Sequence, residues 1–130
     1  MTLAERIINI NEYRLVGTAD DYTAAISAIA ERVESEGHAG VLGYHFYVNE
    51  AGGTAGATII YADAQAWLEH HQMLRSWEEM ARFGQTIEFQ RAVIFGPISD
   101  EMREYIGPKT VFADHGELAA GFVRSQLADG

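Results

Sequence analysis

The sequence predicts an α+β domain in which two helices pack on one face of a four-stranded antiparallel sheet. Three observations indicate this class. Apolar residues alternate in four short stretches, they recur every three to four residues in two longer stretches, and a glycine-containing turn at 51–54 joins two of the strands. The order β-α-β-β-α-β is the ferredoxin-like split arrangement.

The first predicted strand and helix occupy the N-terminal third of the chain. Residues 7–18, IININEYRLVGT, are rich in β-branched residues, and Ile8 and Ile10 are expected as apolar positions of this strand. Asp20 and Asp21 are candidate N-caps for the helix that follows, over residues 21–36. The apolar residues of that helix recur at helical spacing, so they are expected to share one face.

A hairpin and a second helix follow. Residues 41–50 form a strand, the glycine turn reverses the chain, and 56–62, GATIIYA, form the returning strand. Asp63 then caps a helix predicted over residues 64–82, which Gly84 ends.

The fourth predicted strand is TIEFQRAVIFG, residues 86–96, and Pro97 ends it. Strand alternation places five side chains on one face: Ile87, Phe89, Arg91, Val93 and Phe95. Arg91 is the only cation among them. It is expected either to pair with a carboxylate or to clamp an anionic substrate oxygen.

The four strands and two helices define a ferredoxin-like domain over residues 1–96. One sheet face is left uncovered and apolar, which predicts a homodimer with the two sheets face to face. Residues 97–130 are expected to be a C-terminal extension that packs on the same domain or on the dimer partner. This extension contains a short helix from Ser99, a strand over 109–113 and a helical segment over 116–127.

Composition excludes several functional classes. The 130 residues include 19 acidic and 9 basic ones, a net charge of -10 that opposes nucleic-acid phosphates and anionic membrane surfaces. The chain has no cysteine, which excludes disulfides and thiolate chemistry. No stretch approaches the ~20 apolar residues of a membrane span, and the N-terminus does not resemble a secretory signal. We therefore expect a cytoplasmic protein that binds neither nucleic acid nor membranes.

The second helix contains the candidate chemistry. With about 100° per residue and Ala66 as zero, His70 falls near 40°, between Trp77 near 20° and Trp67 near 100°. His71 falls near 140°, at the margin, and is expected to be half exposed. A histidine on an apolar face is costly unless it is hydrogen-bonded. His70 is therefore either a pocket residue that binds or moves a proton, or a core histidine bonded to a backbone carbonyl or tyrosine hydroxyl.

Neither a metal site nor a cofactor site is expected. His70 and His71 are neighbours and point apart on a helix, whereas two-histidine metal sites on helices use i, i+4 spacing. Gly52 and Gly53 lie in a hairpin with no following helix, so they are not a phosphate-binding loop.

The predicted strand over 41–50 has two distinct faces. His45, Tyr47 and Asn49 share one face and are candidates to bind substrate, or to make hydrogen bonds across strands or across a dimer interface. Tyr44 and Phe46 lie on the other face. The pattern does not decide which face looks toward the helices.

Two stretches of the sequence resemble the antibiotic-biosynthesis monooxygenase (ABM) superfamily of dimeric α+β barrels: GVLGYHFYVN and ATIIYADAQAWLEHH. The resemblance covers roughly residues 8–96. In that superfamily a strand, a hairpin and a second strand precede a helix that opens with an alanine, with a histidine four residues on. Ala66 and His70 match that pair.

The resemblance implies a homodimer with a cavity between helices and sheet in each subunit. Superfamily members include cofactor-independent oxygenases of quinol or polyketide-like aromatics. The implied function is a monooxygenase that needs no cofactor and acts on a small aromatic or quinol-like molecule. His70 would then be catalytic, and Trp67 and Trp77 would wall the cavity. The alternative is a non-catalytic small-molecule-binding or stress-response dimeric barrel.

Haem-degrading barrels that are related to this superfamily use a different set of residues. They have an asparagine on the first strand, a tryptophan and a later helix histidine. Asn9 or Asn11 matches the asparagine, but no histidine follows His71 on the second helix. The resemblance therefore does not imply haem degradation.

Overall fold

A five-stranded sheet forms the centre of the computed structural model, which describes residues 3–124. The strands are β1 (Ile7–Leu15), β2 (Val41–Asn49), β3 (Thr54–Tyr61), β4 (Ile87–Phe95) and β5 (Phe112–Asp114), in the spatial order β2-β3-β1-β4-β5. The helices are α1 (Ala19–Glu36), α2 (Ala64–Leu74), α3 (Glu78–Gly84) and α4 (Asp100–Ile106). Strands β1 to β4 pair antiparallel and β5 runs parallel to β4. The predicted α+β, ferredoxin-like fold is confirmed.

The central strand β1 directs its odd-numbered side chains toward the helices. Ile7, Asn9, Tyr13 and Leu15 are buried there. Ile8, an expected apolar position of this strand, faces the opposite side and is 38% exposed. Because β1 pairs with β3 and β4, polar groups on its inner face lie at the middle of the domain.

Helix α1 begins at Ala19, two residues earlier than the sequence predicted. Thr18 is its N-cap, and its hydroxyl accepts a hydrogen bond from the Asp21 backbone N–H at 3.1 Å. Asp20 and Asp21 lie in the first helical turn, where their charges favour the helix dipole. The apolar face packs Tyr22, Ile26 and other residues against the sheet.

The predicted helix over 64–82 is two helices. Asp63 caps α2 as expected, since its carboxylate accepts from the Ala66 N–H at 2.8 Å. The helix ends at Leu74, and Trp77 adopts an extended conformation as the N-cap of α3. The Arg32 guanidinium lies 4.1 Å from the centroid of the Trp77 ring. This cation–π contact joins the segment between α2 and α3 to α1.

A β-bulge divides β4 into two halves. Tyr13 pairs with Phe89 and Glu12 pairs with Arg91, which leaves Gln90 as the extra residue. The prediction of one shared face is therefore wrong. Ile87 and Phe89 face the helices. The remaining three predicted residues face the other side: Arg91, Val93 and Phe95. Arg91 pairs there with Glu12 at 2.7 Å.

The C-terminal segment continues the domain. Ser99 caps α4, and Met102 of that helix is fully buried. Strand β5 then extends the sheet through pairs such as Ala92 with Phe112. The helical segment predicted over 116–127 is not formed over 116–124, and its last three residues lie outside the described residues.

The sheet face opposite the helices has an apolar part and a charged part. Ile8 and Phe95 are each more than a third exposed on it. Ion pairs occupy the other end, including Arg14 with Glu88 at 2.6 Å. Within residues 3–124, no helix has the length and apolar character needed to cross a membrane.

Candidate functional site

Two cavities lie between α2 and the sheet. The inner cavity has a volume of about 230 Å³, and both helix histidines and several aromatic rings line it, including Tyr13, Tyr44, Phe46, Tyr61, His70 and His71. The outer cavity, of about 290 Å³, lies toward α4 and β5, and its lining includes Trp67, Phe89, Ile94, Ile106 and Phe112. Three residues line both cavities: Asn11, His71 and Tyr105.

His70 is buried among aromatic rings in the wall of the inner cavity. Its side chain is 2% exposed, and its ring centroid lies 5.5 Å from that of Tyr44 and 5.6 Å from that of Tyr61. The Nδ1 atom is buried and has no hydrogen-bond partner among residues 3–124. Burial, with smaller contributions from His71 and His38, lowers the pKa of the imidazole to about 3. The ring is therefore neutral at physiological pH.

Tyr61 provides a second unpartnered polar atom in the same wall. It is fully buried at the end of β3, and no described residue hydrogen-bonds its hydroxyl. Burial raises the pKa of the phenol well above its usual value, so the hydroxyl keeps its proton and can donate it in a hydrogen bond. His70 and Tyr61 thus contribute two of the three unpartnered buried side-chain atoms in residues 3–124; Arg6 Nε is the third.

His71 is held in one tautomer by its own helix. Its Nδ1 lies 2.7 Å from the backbone oxygen of Trp67, and because a carbonyl oxygen only accepts, Nδ1 carries the proton. The lone pair is then on Nε2. Burial lowers the pKa of the His71 imidazole to about 4. The side chain is half-buried, as the helical geometry predicted, but it lines both cavities.

A chain of hydrogen bonds crosses the inner face of β1. Trp67 Nε1 donates to Asn9 Oδ1 at 2.9 Å, Asn9 Nδ2 donates to Asn11 Oδ1 at 2.8 Å, and Asn11 Nδ2 donates to Tyr13 Oη at 3.1 Å. Burial raises the pKa of Tyr13 to about 12, so the phenol stays neutral. This network was not predicted from the sequence; the signal that could have indicated it is the alternation of Asn9 and Asn11 with Ile8 and Ile10 along β1.

Only two of the six residues predicted for the site line these cavities. Trp67 and His70 do. Trp77 packs against Arg32 instead. The remaining three point to the opposite sheet face, because the pairing of Tyr44 with Ile59 turns the other side of β2 inward. They are His45, Tyr47 and Asn49.

The described residues offer no metal centre. Between residues 3 and 124, no group of three or more histidine, aspartate or glutamate side chains is close enough to hold a metal ion. One histidine–carboxylate pair involves α2: His38 Nε2 lies 2.7 Å from Glu69 Oε1, and neither residue lines the inner or the outer cavity.

The fold is shared with several solved structures. MupZ from Pseudomonas fluorescens is 20% identical, with a TM-score of 0.65, over 98% of this chain and 95% of its own. A mutant of SnoaB, a cofactor-independent oxygenase from Streptomyces nogalater, is 9% identical, with a TM-score of 0.61, over 74% of this chain and 96% of its own. A candidate antibiotic biosynthesis monooxygenase from Caulobacter crescentus is 17% identical, with a TM-score of 0.54, over 70% of this chain and 86% of its own.

No protein-family model matches the sequence, and no curated protein matches it. The likeness to solved structures, at these identities, is a likeness of fold. It confirms at that level the resemblance to ABM proteins that the sequence predicted.

Proposed function

We propose that this protein is a cofactor-independent monooxygenase that acts on a small aromatic or quinol-like molecule in the inner cavity. One observation carries the proposal: His70 Nδ1 and Tyr61 Oη are buried, unpartnered and in the wall of the same aromatic cavity. Unpartnered buried polar atoms cost free energy, which a ligand with matching groups recovers. The fold shared with SnoaB, a cofactor-independent oxygenase, supports the reaction class.

The aromatic walls suit a flat, electron-rich ring. Tyr44 and Phe46, whose ring centroids lie 4.8 Å apart, supply an edge-to-face pair against which such a ring can pack. In the proposed complex the Tyr61 hydroxyl donates to an oxygen of the ligand. With the imidazole proton on Nε2, His70 Nδ1 accepts a hydrogen bond from a ligand hydroxyl.

The proposed reaction begins with transfer of the ligand hydroxyl proton to His70 Nδ1. The resulting anion and imidazolium stabilise each other because the surroundings are apolar, and Tyr61 stabilises the developing oxyanion. The anion reduces dioxygen, the co-substrate, so that the ligand supplies all the electrons. For a hydroquinone, one oxygen atom is added to a ring carbon, the ring is oxidised to a hydroxyquinone, and the other oxygen atom leaves as water with two of the ligand's hydrogens.

Substitutions in the inner cavity, compared with matched substitutions on the opposite sheet face, test the proposed roles of His70 and Tyr61. His70→Gln should lower kcat/KM by about 10²–10⁴-fold, the usual contribution of a general base. Tyr61→Phe should lower it by about 10²–10³-fold through loss of an oxyanion donor. The controls are His45→Gln and Tyr47→Phe, on the opposite face. The assay is oxygen uptake with a panel of hydroquinones. Unchanged turnover in the His70 variant would refute its catalytic role.

A non-catalytic, small-molecule-binding barrel is the second candidate. The low pKa of His70, about 3, favours it, because a ring that is so hard to protonate is a weak base. In this case the same two polar atoms bind the ligand hydroxyl without proton transfer. Quenching of Trp67 fluorescence by hydroquinones with no oxygen uptake would support this function over the first.

We also propose that the functional form is a homodimer in which the uncovered sheet faces pack together. The exposed apolar side chains Ile8 and Phe95 support this interface. Light scattering tests it: a mass of 14.4 kDa, that of one chain, would refute the dimer. Phe95→Asp should produce that monomer. Ala24→Asp is the control, because Ala24 is exposed on α1, on the helix side of the sheet.

A further inference from the structure

The two cavities are small individually and adjacent. Their volumes of about 230 and 290 Å³ each fall below the ~300–1,000 Å³ of typical small-molecule sites, whereas together they fall within it. Asn11, His71 and Tyr105 line both. We propose that the cavities form one bipartite site for an elongated ligand, with a hydroxylated aromatic ring in the inner cavity and an uncharged apolar chain in the outer cavity.

The outer cavity has the chemistry of an apolar subsite. Ile94, Ile106 and Phe112 contribute aliphatic and aromatic surface. Two polar side chains beside them already have partners within the protein. Asn9 bonds both Trp67 and Asn11, and the Thr110 hydroxyl donates to the backbone oxygen of Ile106 at 2.9 Å. A ligand chain without polar groups therefore leaves the hydrogen bonds of Asn9 and Thr110 in place.

The inner cavity has the opposite character. It contains the unpartnered atoms of His70 and Tyr61, and its lining includes Arg75. Among residues 3–124, Arg75 is the one Lys, Arg, Asp or Glu side chain that lines either cavity, and its Cζ lies 5.6 Å from the centroid of the Tyr105 ring. None of the described Lys, Arg, Asp or Glu side chains lines the outer cavity, so a charged end of the ligand would find no partner among them there.

The C-terminal segment supplies the wall that would select the chain. Tyr105 stands edge-on to Trp67, with centroids 5.8 Å apart, and to His71, with centroids 6.0 Å apart, at the junction of the cavities. Ile106, Thr110 and Phe112 continue this wall along the outer cavity. We therefore assign chain-length specificity to this segment rather than to the β2–β3 hairpin.

This inference rests on the proposed function, since it concerns the same site, but anaerobic binding separates the two. The probes are hydroquinones with unbranched alkyl substituents from methyl to octyl, titrated by calorimetry without oxygen. The Kd should fall about three- to fourfold for each added methylene until the outer cavity is full. A Kd that does not depend on chain length, or no binding by any probe, would overturn the proposal.

Two variants with opposite effects locate the subsite. Ile106→Trp should fill the outer cavity and abolish the dependence of the Kd on chain length. Phe112→Ala should enlarge the cavity and move the optimum to longer chains. Val111→Trp is the control, because Val111 lies in the same segment but is 62% exposed. Equal effects of Ile106→Trp and Val111→Trp would also overturn the proposal.

The outcomes distinguish the two proposals. Binding that depends on chain length, without oxygen uptake in air, leaves the bipartite site standing and refutes the monooxygenase. Oxygen uptake with hydroquinones whose anaerobic Kd does not depend on chain length refutes the bipartite site alone.

Discussion

The Trp67 indole and the His71 imidazole stack one helical turn apart, with ring centroids 3.8 Å apart and ring planes inclined by 26°. The same histidine hydrogen-bonds the backbone oxygen of Trp67, and the indole N–H bonds Asn9 on β1. The stack is therefore fixed to the helix on one side and to the central strand on the other. The stack therefore positions the His71 ring, which lines both cavities.

The hydrogen bond between Trp67 and Asn9 predicts that the two tryptophans contribute differently to stability. Trp67→Phe removes the indole N–H and leaves Asn9 Oδ1 buried without its donor, which should cost about 1–3 kcal/mol beyond the loss of packing. Trp77→Phe is the matched control, because the indole N–H of Trp77 has no hydrogen bond to any described residue. Urea unfolding of both variants measures the difference. Equal losses would contradict the role of the hydrogen bond.

The buried histidines predict that stability falls in mild acid. The folded pKa values, about 3 for His70 and about 4 for His71, lie below the ~6.5 of an unfolded chain. Above pH ~6.5 both rings are neutral in both states. As the pH falls below that value, the unfolded chain binds protons that the folded protein cannot, and stability drops by up to about 1.4 kcal/mol per pH unit for each ring.

Urea unfolding at a series of pH values tests this dependence. A double variant with His70→Gln and His71→Gln should have a flatter profile between pH ~6.5 and ~4.5. His45→Gln, which changes an exposed histidine, should keep the original slope. An unchanged slope in the double variant would show that other groups cause the acid sensitivity.

The backbone conformation at Gly96, beside the C-terminal segment, predicts that adding a side chain there lowers the free energy of unfolding substantially. Gly96 has a φ of 115°, and a Cβ there would lie 2.2 Å from the backbone oxygen of Arg6. Gly96→Ala should therefore cost more than ~3 kcal/mol. Gly107→Ala is the control, since Gly107 has a φ of 77° and open space around the added carbon. With a ψ of 169°, it should cost only the ~1–3 kcal/mol of a strained backbone conformation. Thermal unfolding distinguishes the two.

The burial of α4 predicts that the C-terminal segment contributes to global stability. Met102 is fully buried, so Met102→Ala should lower the free energy of unfolding by about 2–5 kcal/mol. Glu101→Ala, at an exposed position of the same helix, should change it by less than ~0.5 kcal/mol. If Met102→Ala left global unfolding unchanged and only loosened the segment, α4 would be an independent unit.

Local patterns were sufficient to predict most of the fold. The alternation in β1, the glycine turn between β2 and β3, and the Asp63 cap depend on neighbouring residues, and all three are present. The break before α3 depends instead on Trp77 packing with Arg32 of α1. Helical periodicity along one segment does not contain that contact.

The candidate site was less predictable because its contacts are distant in sequence. Asn9 and Trp67 are 58 residues apart, and nothing local indicates that they bond. His71 was correctly placed at the margin of α2, but Tyr105 of α4 covers that margin and makes it a cavity wall. His70 needed no such contact, because its position on the helix already directed it toward the sheet.

The bulge at Gln90 has a consequence for how this strand is aligned with others. Because Phe89 pairs with Tyr13 and Arg91 with Glu12, Gln90 could be deleted without changing the face on which any neighbour lies. A homologue with a regular strand would therefore be one residue shorter here. An ungapped alignment would equate its cavity-facing positions with outward-facing ones of this chain, so a single gap at Gln90 decides whether the residues compared across lineages occupy the same place.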